Sequence, residues 1–232
     1  SAAVLTSVAK NIPDVALQLA DAFWPGPLTL VLEKLNHIPD IVTGGKNTVG
    51  VRVPNHPVAL ELLEQLDFPL AAPSANPFGS ISPTTAKHVA DYFTDTLTII
   101  LDGGSCDKGI ESTIIGFENG APILYRQGST KVEDIEKITG ALQMRVHANN
   151  ESVMAPGMLS KHYAPNTTTI LTDNVLAEIE KHFDKRIGVL QLKPTTLPDF
   201  ISAIETLSLS GDLEEAAKNL YAAMHRLDHQ NL

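Results

Sequence analysis

The 232-residue sequence has one cysteine, Cys106. A single thiol excludes an intrachain disulfide framework and a Cys-rich zinc site, and fits a reducing compartment. Long apolar runs are also missing: residues 27–32 and 97–101 fall far short of the roughly 20 needed to cross a bilayer. No signal-like pattern marks the first residues, and a soluble, cytoplasmic protein without membrane attachment is the expectation. Positive charge is scarce. With 17 basic against 27 acidic residues the net charge is −10, which excludes a broad electropositive field for nonspecific nucleic-acid binding and leaves RNA only a local patch and weak contact. HExxH, GxSxG, paired CxxC, GK[ST] and GxGxxG signatures are absent, and the eight histidines lack metal-ligand spacing. His56, His88 and His162 therefore read as surface or packing residues.

What is present is a folded composition. At 43% hydrophobic residues the chain can build one large or two modest cores. Apolar positions at near-helical spacing over 4–23, interrupted at Pro13-Asp14, predict a broken helix or two short ones. Residues 28–33, 48–53, 68–72, 96–101, 112–117 and 122–126 read as strands. Residues 57–66, 83–92 and 132–139 read as helices, with Pro57 in a first turn and Gly140 closing the third. From about 148 to 166 periodicity lapses into a linker composition. Strand 167–171, helix 174–183 and strand 186–191 then suit one βαβ crossover, and 212–227 an amphipathic helix.

Chemistry-bearing residues cluster at strand ends. In 44–54, Thr48 and Arg52 share strand parity, and Arg52 can hold a carboxylate through two parallel hydrogen bonds. A surface arginine on an edge strand is the plain alternative, against which the flanking valines favour burial. Residues 71–84 combine small residues with the neutral donors and acceptors Ser74, Asn76 and Ser82 ahead of a helix start. This loop suits a phosphate or nucleotide, or is simply capped. The loop 102–109 is glycine-rich without matching a known phosphate motif, and Arg126 ends another strand, where a solvated turn is the plain alternative. Residues 155–165 place Met, Leu, His and Tyr in a connector, which suits docking rather than flexibility, or simple packing between two domains.

Taken in order, FWPGPLTLVL, VGVRVPNHP, PLAAPSANPFGSISPT, LDGGSCDKGIESTII, LYRQGS and APGMLSKHYAP resemble the YrdC-like threonylcarbamoyl-AMP synthases in their long, two-domain form. The resemblance implies an α/β fold: a YrdC-like twisted mixed-sheet catalytic domain over 1–148, a linker or lid over 149–166, and a small Rossmann-like α/β domain over 167–232. It implies a nucleotidyltransferase that makes L-threonylcarbamoyladenylate and pyrophosphate from L-threonine, bicarbonate and ATP with Mg2+. Downstream threonylcarbamoyl-transferase machinery would use the product to modify tRNA next to the anticodon. Arg52, Ala72 and Ser112 would take threonine, and Thr48, Ser74, Asn76, Ser82, Arg126 and Tyr163 would take ATP, with no covalent protein nucleophile. The family also has a segment before FWPGPLTLVL carrying its first strands and a basic Lys-x-Arg motif. This chain begins at Ser1, and the expectation is a fragment or incomplete product, short at both domains, with weak or no activity. Two other readings are a double-stranded RNA-binding module, which the charge opposes, and a carbamoyl-adenylate-forming domain of a hydrogenase maturation protein, which lacks its zinc-finger and acylphosphatase-like neighbours here.

Overall fold

The computed structural model describes residues 4–94, 96–145 and 163–232. Helices α1 (Leu5–Val8) and α2 (Asp14–Phe23) precede β1 (Leu28–Glu33), α3 (Asp40–Thr43), β2 (Thr48–Val51) and α4 (Pro57–Glu64). Then come α5 (Ala86–Phe93), β3 (Thr113–Glu118), β4 (Ala121–Arg126), α6 (Val132–Thr139) and β5 (Gln143–Met144). The last segment holds α7 (Val175–Glu180), β6 (Gly188–Gln191), β7 (Ala203–Thr206) and α8 (Leu213–Asp228). Two compact units result: Ser1–Pro73 with Glu111–Leu159, and Ser74–Ile110 with Ser160–Leu232.

The first unit is built on a five-stranded sheet in the order β2-β1-β3-β4-β5. The β1–β3 and β4–β5 pairs are parallel and the β1–β2 and β3–β4 pairs antiparallel, so the sheet is mixed. Alternation along β1 explains how both faces are used. Leu28, Leu30 and Leu32 join Leu5, Leu19, Ile115, Leu124 and Ile135 in the main core, where α2 and α6 pack. Val31 turns to the opposite face with Ile114 and Tyr125. Gly116 lies under the Tyr125 ring, where a Cβ would come within 2.2 Å of ring carbons.

Helix ends follow their local chemistry. Pro57 occupies the first turn of α4, and Gly140 closes α6 at φ 73°, a conformation with no steric cost for glycine. Thr85, Asn174 and Asp212 cap α5, α7 and α8 with side-chain oxygens.

Three expected strands are not formed. Residues 68–72, 96–101 (Asp95 precedes them outside the described residues) and 167–171 have no ladder among the described residues, and most of their large apolar side chains are exposed. A β-rich run becomes a strand only when a partner's backbone receives its N–H and C=O groups, and composition cannot reveal that partner. Conversely, β5, β7 and α3 are too short to have stood out in the sequence. In the second unit β6 pairs in parallel with β7 rather than with residues 167–171. Most of the expected linker, residues 149–162, lies outside the described residues.

A buried polar knot ties three loops of the first unit together. Thr113, fully buried, donates its hydroxyl to the Thr130 carbonyl at 2.7 Å and accepts the Thr130 N–H at 3.1 Å. Thr130 donates in turn to the Pro27 carbonyl, which also accepts the Thr113 N–H. Thr113→Val keeps the shape and removes the hydroxyl, stranding one donor and one acceptor, at a cost of about 1–3 kcal/mol. A melting temperature lower by roughly 3–10 °C is the expected reading in thermal unfolding.

Candidate functional site

The register places four polar side chains at one end of the first unit's sheet. Val51, the last residue of β2, pairs with Leu30, so Arg52 follows at the end where β1 begins. Leu28 pairs with Thr113, which puts Ser112 beside the start of β1. Ile114 pairs with Arg126, the last residue of β4. Arg52, Thr29, Ser112 and Arg126 thus mark successive strands at one sheet end, at spacings of roughly 4.8 Å per strand.

Ser112 and Arg126 are in direct contact. The Arg126 guanidinium donates to the Ser112 carbonyl from Nε at 3.1 Å and from a terminal nitrogen at 2.9 Å, and reaches the Ser112 hydroxyl at 3.3 Å. That hydroxyl lies 2.7 Å from the Thr29 hydroxyl. Gly128 makes the approach possible, because a Cβ there would sit 2.4 Å from the Ser112 carbonyl carbon. Thr29 was not singled out in the sequence, although a polar residue inside the apolar run LTLVL carried the signal.

One expectation for this unit needs correction. Arg52 is exposed rather than buried: Val51 and Val53 pack on the core, and alternation turns the residue between them outward. Thr48 pairs with Glu33 at the other end of β1, so it keeps the parity of Arg52 while standing about 13 Å away along the strand. Ala72, also in this unit, is exposed in irregular backbone.

Ser74, Asn76, Ser82 and Tyr163 belong to the second unit. Ser74 is exposed, whereas Ser82 is 92% buried. Asn76 donates from Nδ2 to the carbonyls of Pro77 and Ser80, and its buried Oδ1 meets no hydrogen-bond partner among the described residues. An acceptor in that condition is stabilised by a ligand donor. Tyr163 follows the undescribed segment, and the next residue, Ala164, donates its N–H to the Gly79 carbonyl at 2.8 Å. Linker exit and loop are therefore joined by backbone.

Beneath that loop lies a histidine pair. The His88 and His225 rings stack at 3.9 Å between centroids, and the Thr84 N–H donates to His88 Nδ1 at 3.2 Å. A neutral ring with Nδ1 unprotonated is required. Burial, then the charge His225 would carry, pushes His88 down to about 4, and burial also lowers His225. Both are depressed below the ordinary 6.5, so the neutral forms stabilise the fold above that pH and the contribution is lost as pH falls from about 6.5 towards 4. For His88 this amounts to about 1–2 kcal/mol after allowance for solvent screening of a half-buried ring. A melting curve measured from pH 7 to pH 4 is expected to fall across this window, and His88→Gln to flatten the slope.

A mixed-sheet α/β protein that sets arginines and hydroxyls along one sheet end is suited to small anionic substrates. Residues 1–128 match the Sua5/YciO/YrdC family, described as telomere recombination, and residues 130–232 match the threonylcarbamoyl-AMP synthase C-terminal domain. A threonylcarbamoyl-AMP synthase from Pyrococcus abyssi is 40% identical over 97% of this chain and 68% of its own length. Its Schizosaccharomyces pombe counterpart is 36% identical over 95% of this chain and 61% of its own. The crystal structure of P. abyssi Sua5 complexed with L-threonine superposes with a TM-score of 0.87 at 38% identity, covering 99% of this chain and 69% of that one. The chain belongs to the threonylcarbamoyl-AMP synthase family and has its two-domain α/β fold. It spans roughly two thirds of the length of these relatives.

Proposed function

We propose that this protein is a nucleotidyltransferase that forms L-threonylcarbamoyl-AMP and pyrophosphate from L-threonine, bicarbonate and ATP. The observation that carries the reading is the row of Arg52, Thr29, Ser112 and Arg126 at one sheet end, in a chain whose relative was crystallised with L-threonine. Arg52 is assigned the threonine carboxylate, with Ser112 and Ala72 beside the amino acid. Arg126, Thr48, Ser74, Asn76, Ser82 and Tyr163 are assigned the nucleotide. Mg2+ arrives on the phosphates, as part of the ATP substrate.

The threonine amine bonds to the bicarbonate carbon, with loss of water, to give an N-carboxylated amino acid. One oxygen of that new carboxylate attacks the α-phosphorus of ATP, the bond to the β-phosphate oxygen breaks, and pyrophosphate leaves. Two anions must be aligned and their repulsion neutralised, which is work for guanidinium groups and fixed hydroxyls rather than for a covalent nucleophile. The product serves the tRNA-modifying machinery that transfers the threonylcarbamoyl group next to the anticodon. We place the reaction in the cytoplasm, where an exposed cysteine outside any disulfide, Cys106, is stable. Among the described residues no helix is long and apolar enough to cross a membrane.

The test is pyrophosphate release from ATP with bicarbonate present, comparing L-threonine with L-serine. Threonine-dependent release supports the reading. Release indifferent to the amino acid, or ATP binding with no effect of threonine on melting, overturns it.

A further inference from the structure

Helix α8 presents Tyr221, His225 and Asp228 at i, i+4 and i+7, on one helical face. Each holds a different part of the second unit. The buried Tyr221 ring stacks on Tyr163 at 5.4 Å between centroids. His225, only 4% exposed, places Nε2 3.1 Å from the Ser82 carbonyl, to which it donates. The Asp228 carboxylate accepts the Thr167 N–H at 2.7 Å and the Asn166 N–H and side-chain amide at 3.1 Å. Burial opposes that charge, but these donors outweigh it and hold its pKa below the usual carboxylate range.

The loop that α8 holds has little regular structure of its own. Besides the His225 bond, Tyr92 donates from its hydroxyl to the Ile81 carbonyl at 2.9 Å, and the Gly79 carbonyl receives the Ala164 N–H. A buried carbonyl such as that of Ser82 needs a donor, and His225 supplies one from a helix 143 residues away. Tyr163 has a φ of 58°, a conformation rare outside glycine, and its stack on Tyr221 offsets that strain.

We propose that His225 is a positioning residue for the nucleotide reaction: its bond to the Ser82 carbonyl lets α8 fix the Ser82 and Tyr163 side chains in one arrangement. This rests on the assignment of Ser82 and Tyr163 to ATP made above. His225 touches no substrate, and its effect reaches ATP through the loop. Losing it therefore weakens ATP use while leaving the threonine residues of the first unit in place.

The experiment compares His225→Ala and His225→Gln with the unsubstituted chain by amide hydrogen exchange over residues 79–84 and 164–167, and by KM for ATP and for threonine. His225→Ala is expected to speed exchange over 79–84 and raise KM for ATP, each roughly tenfold for one lost hydrogen bond, with KM for threonine within about twofold. The glutamine variant, which can donate from its amide, is expected to recover much of both. Should the alanine variant not fold, Gln is compared instead with His225→Met, which fills space without a donor. Unchanged exchange over 79–84 without the donor, or equal rises in both KM values, overturns the proposal. Absence of pyrophosphate release from the unsubstituted chain sinks the reaction instead, and the exchange measurement still decides whether His225 holds the loop.

Discussion

Arg52→Ala is expected to lower kcat/KM for L-threonine by at least about 100-fold, equivalent to about 2.7 kcal/mol. Arg52 stands at the exposed end of β2, beside the start of β1, with β1 between it and Ser112. A carboxylate gripped by two parallel N–H donors loses both with the substitution, and charge-assisted bonds are about twice as strong as neutral ones. Because Arg52 is exposed and its valine neighbours carry the packing, melting should move by less than the ~0.5 kcal/mol usual for surface changes. Activity and stability are therefore expected to separate. Arg52→Lys keeps the charge without the planar fork and should recover only part of the loss. The check is steady-state pyrophosphate release against threonine concentration. An unchanged kcat/KM would remove Arg52 from the threonine site.

The second large effect is expected at Gly128, where activity and stability should fall together. An added Cβ meets the Glu111 carbonyl oxygen at 2.5 Å and the Ser112 carbonyl oxygen at 2.6 Å, both rigid backbone. Ser112 must move, and its carbonyl is the group that Arg126 holds with two donors. Overpacking of this kind costs about 1–3 kcal/mol in stability. The displaced Ser112 and the freed Arg126 should lower turnover by a further tenfold or more, since both line the proposed site and small misplacements have large kinetic effects. Thermal unfolding and the same pyrophosphate assay measure the two consequences. A Gly128→Ala protein with full turnover would place the Ser112–Arg126 contact outside the reaction.

Local pattern revealed part of this molecule. The apolar run at 28–33 became an interior strand of the sheet, Pro57 and Gly140 marked helix boundaries, and the broken periodicity at Pro13 gave two helices. Loops rich in Ser, Asn, Gly and Arg held the candidate site residues, and the order of those motifs carried the family. Register was not legible. Arg52 looked buried because valines flank it, yet alternation alone cannot say which neighbour faces the core. Thr48 and Arg52 shared parity, but four residues along a strand span about 13 Å, enough to separate them to opposite ends of β1. Apolar runs at 68–72, 96–101 and 167–171 read as strands because side-chain composition carries no information about a missing ladder. His225 belonged to no motif at all. Its role depends on a contact with Ser82 that only the tertiary structure creates, though the Tyr-His-Asp spacing on an amphipathic helix was a signal available in the sequence.

The second unit takes residues 74–110 from the middle of the chain and completes itself with residues from its far end. During synthesis the Ser82 loop therefore leaves the ribosome without its anchor, and must wait for α8, 143 residues behind at His225. At about 5–20 residues per second that interval is roughly 7–30 s, long compared with the microseconds in which a helix or hairpin forms. Over that time the loop has no α8 to hold it. The order of translation thus makes α8 the element on which the middle segment depends, and a chain arrested before α8 would leave residues 74–110 open to proteases and chaperones.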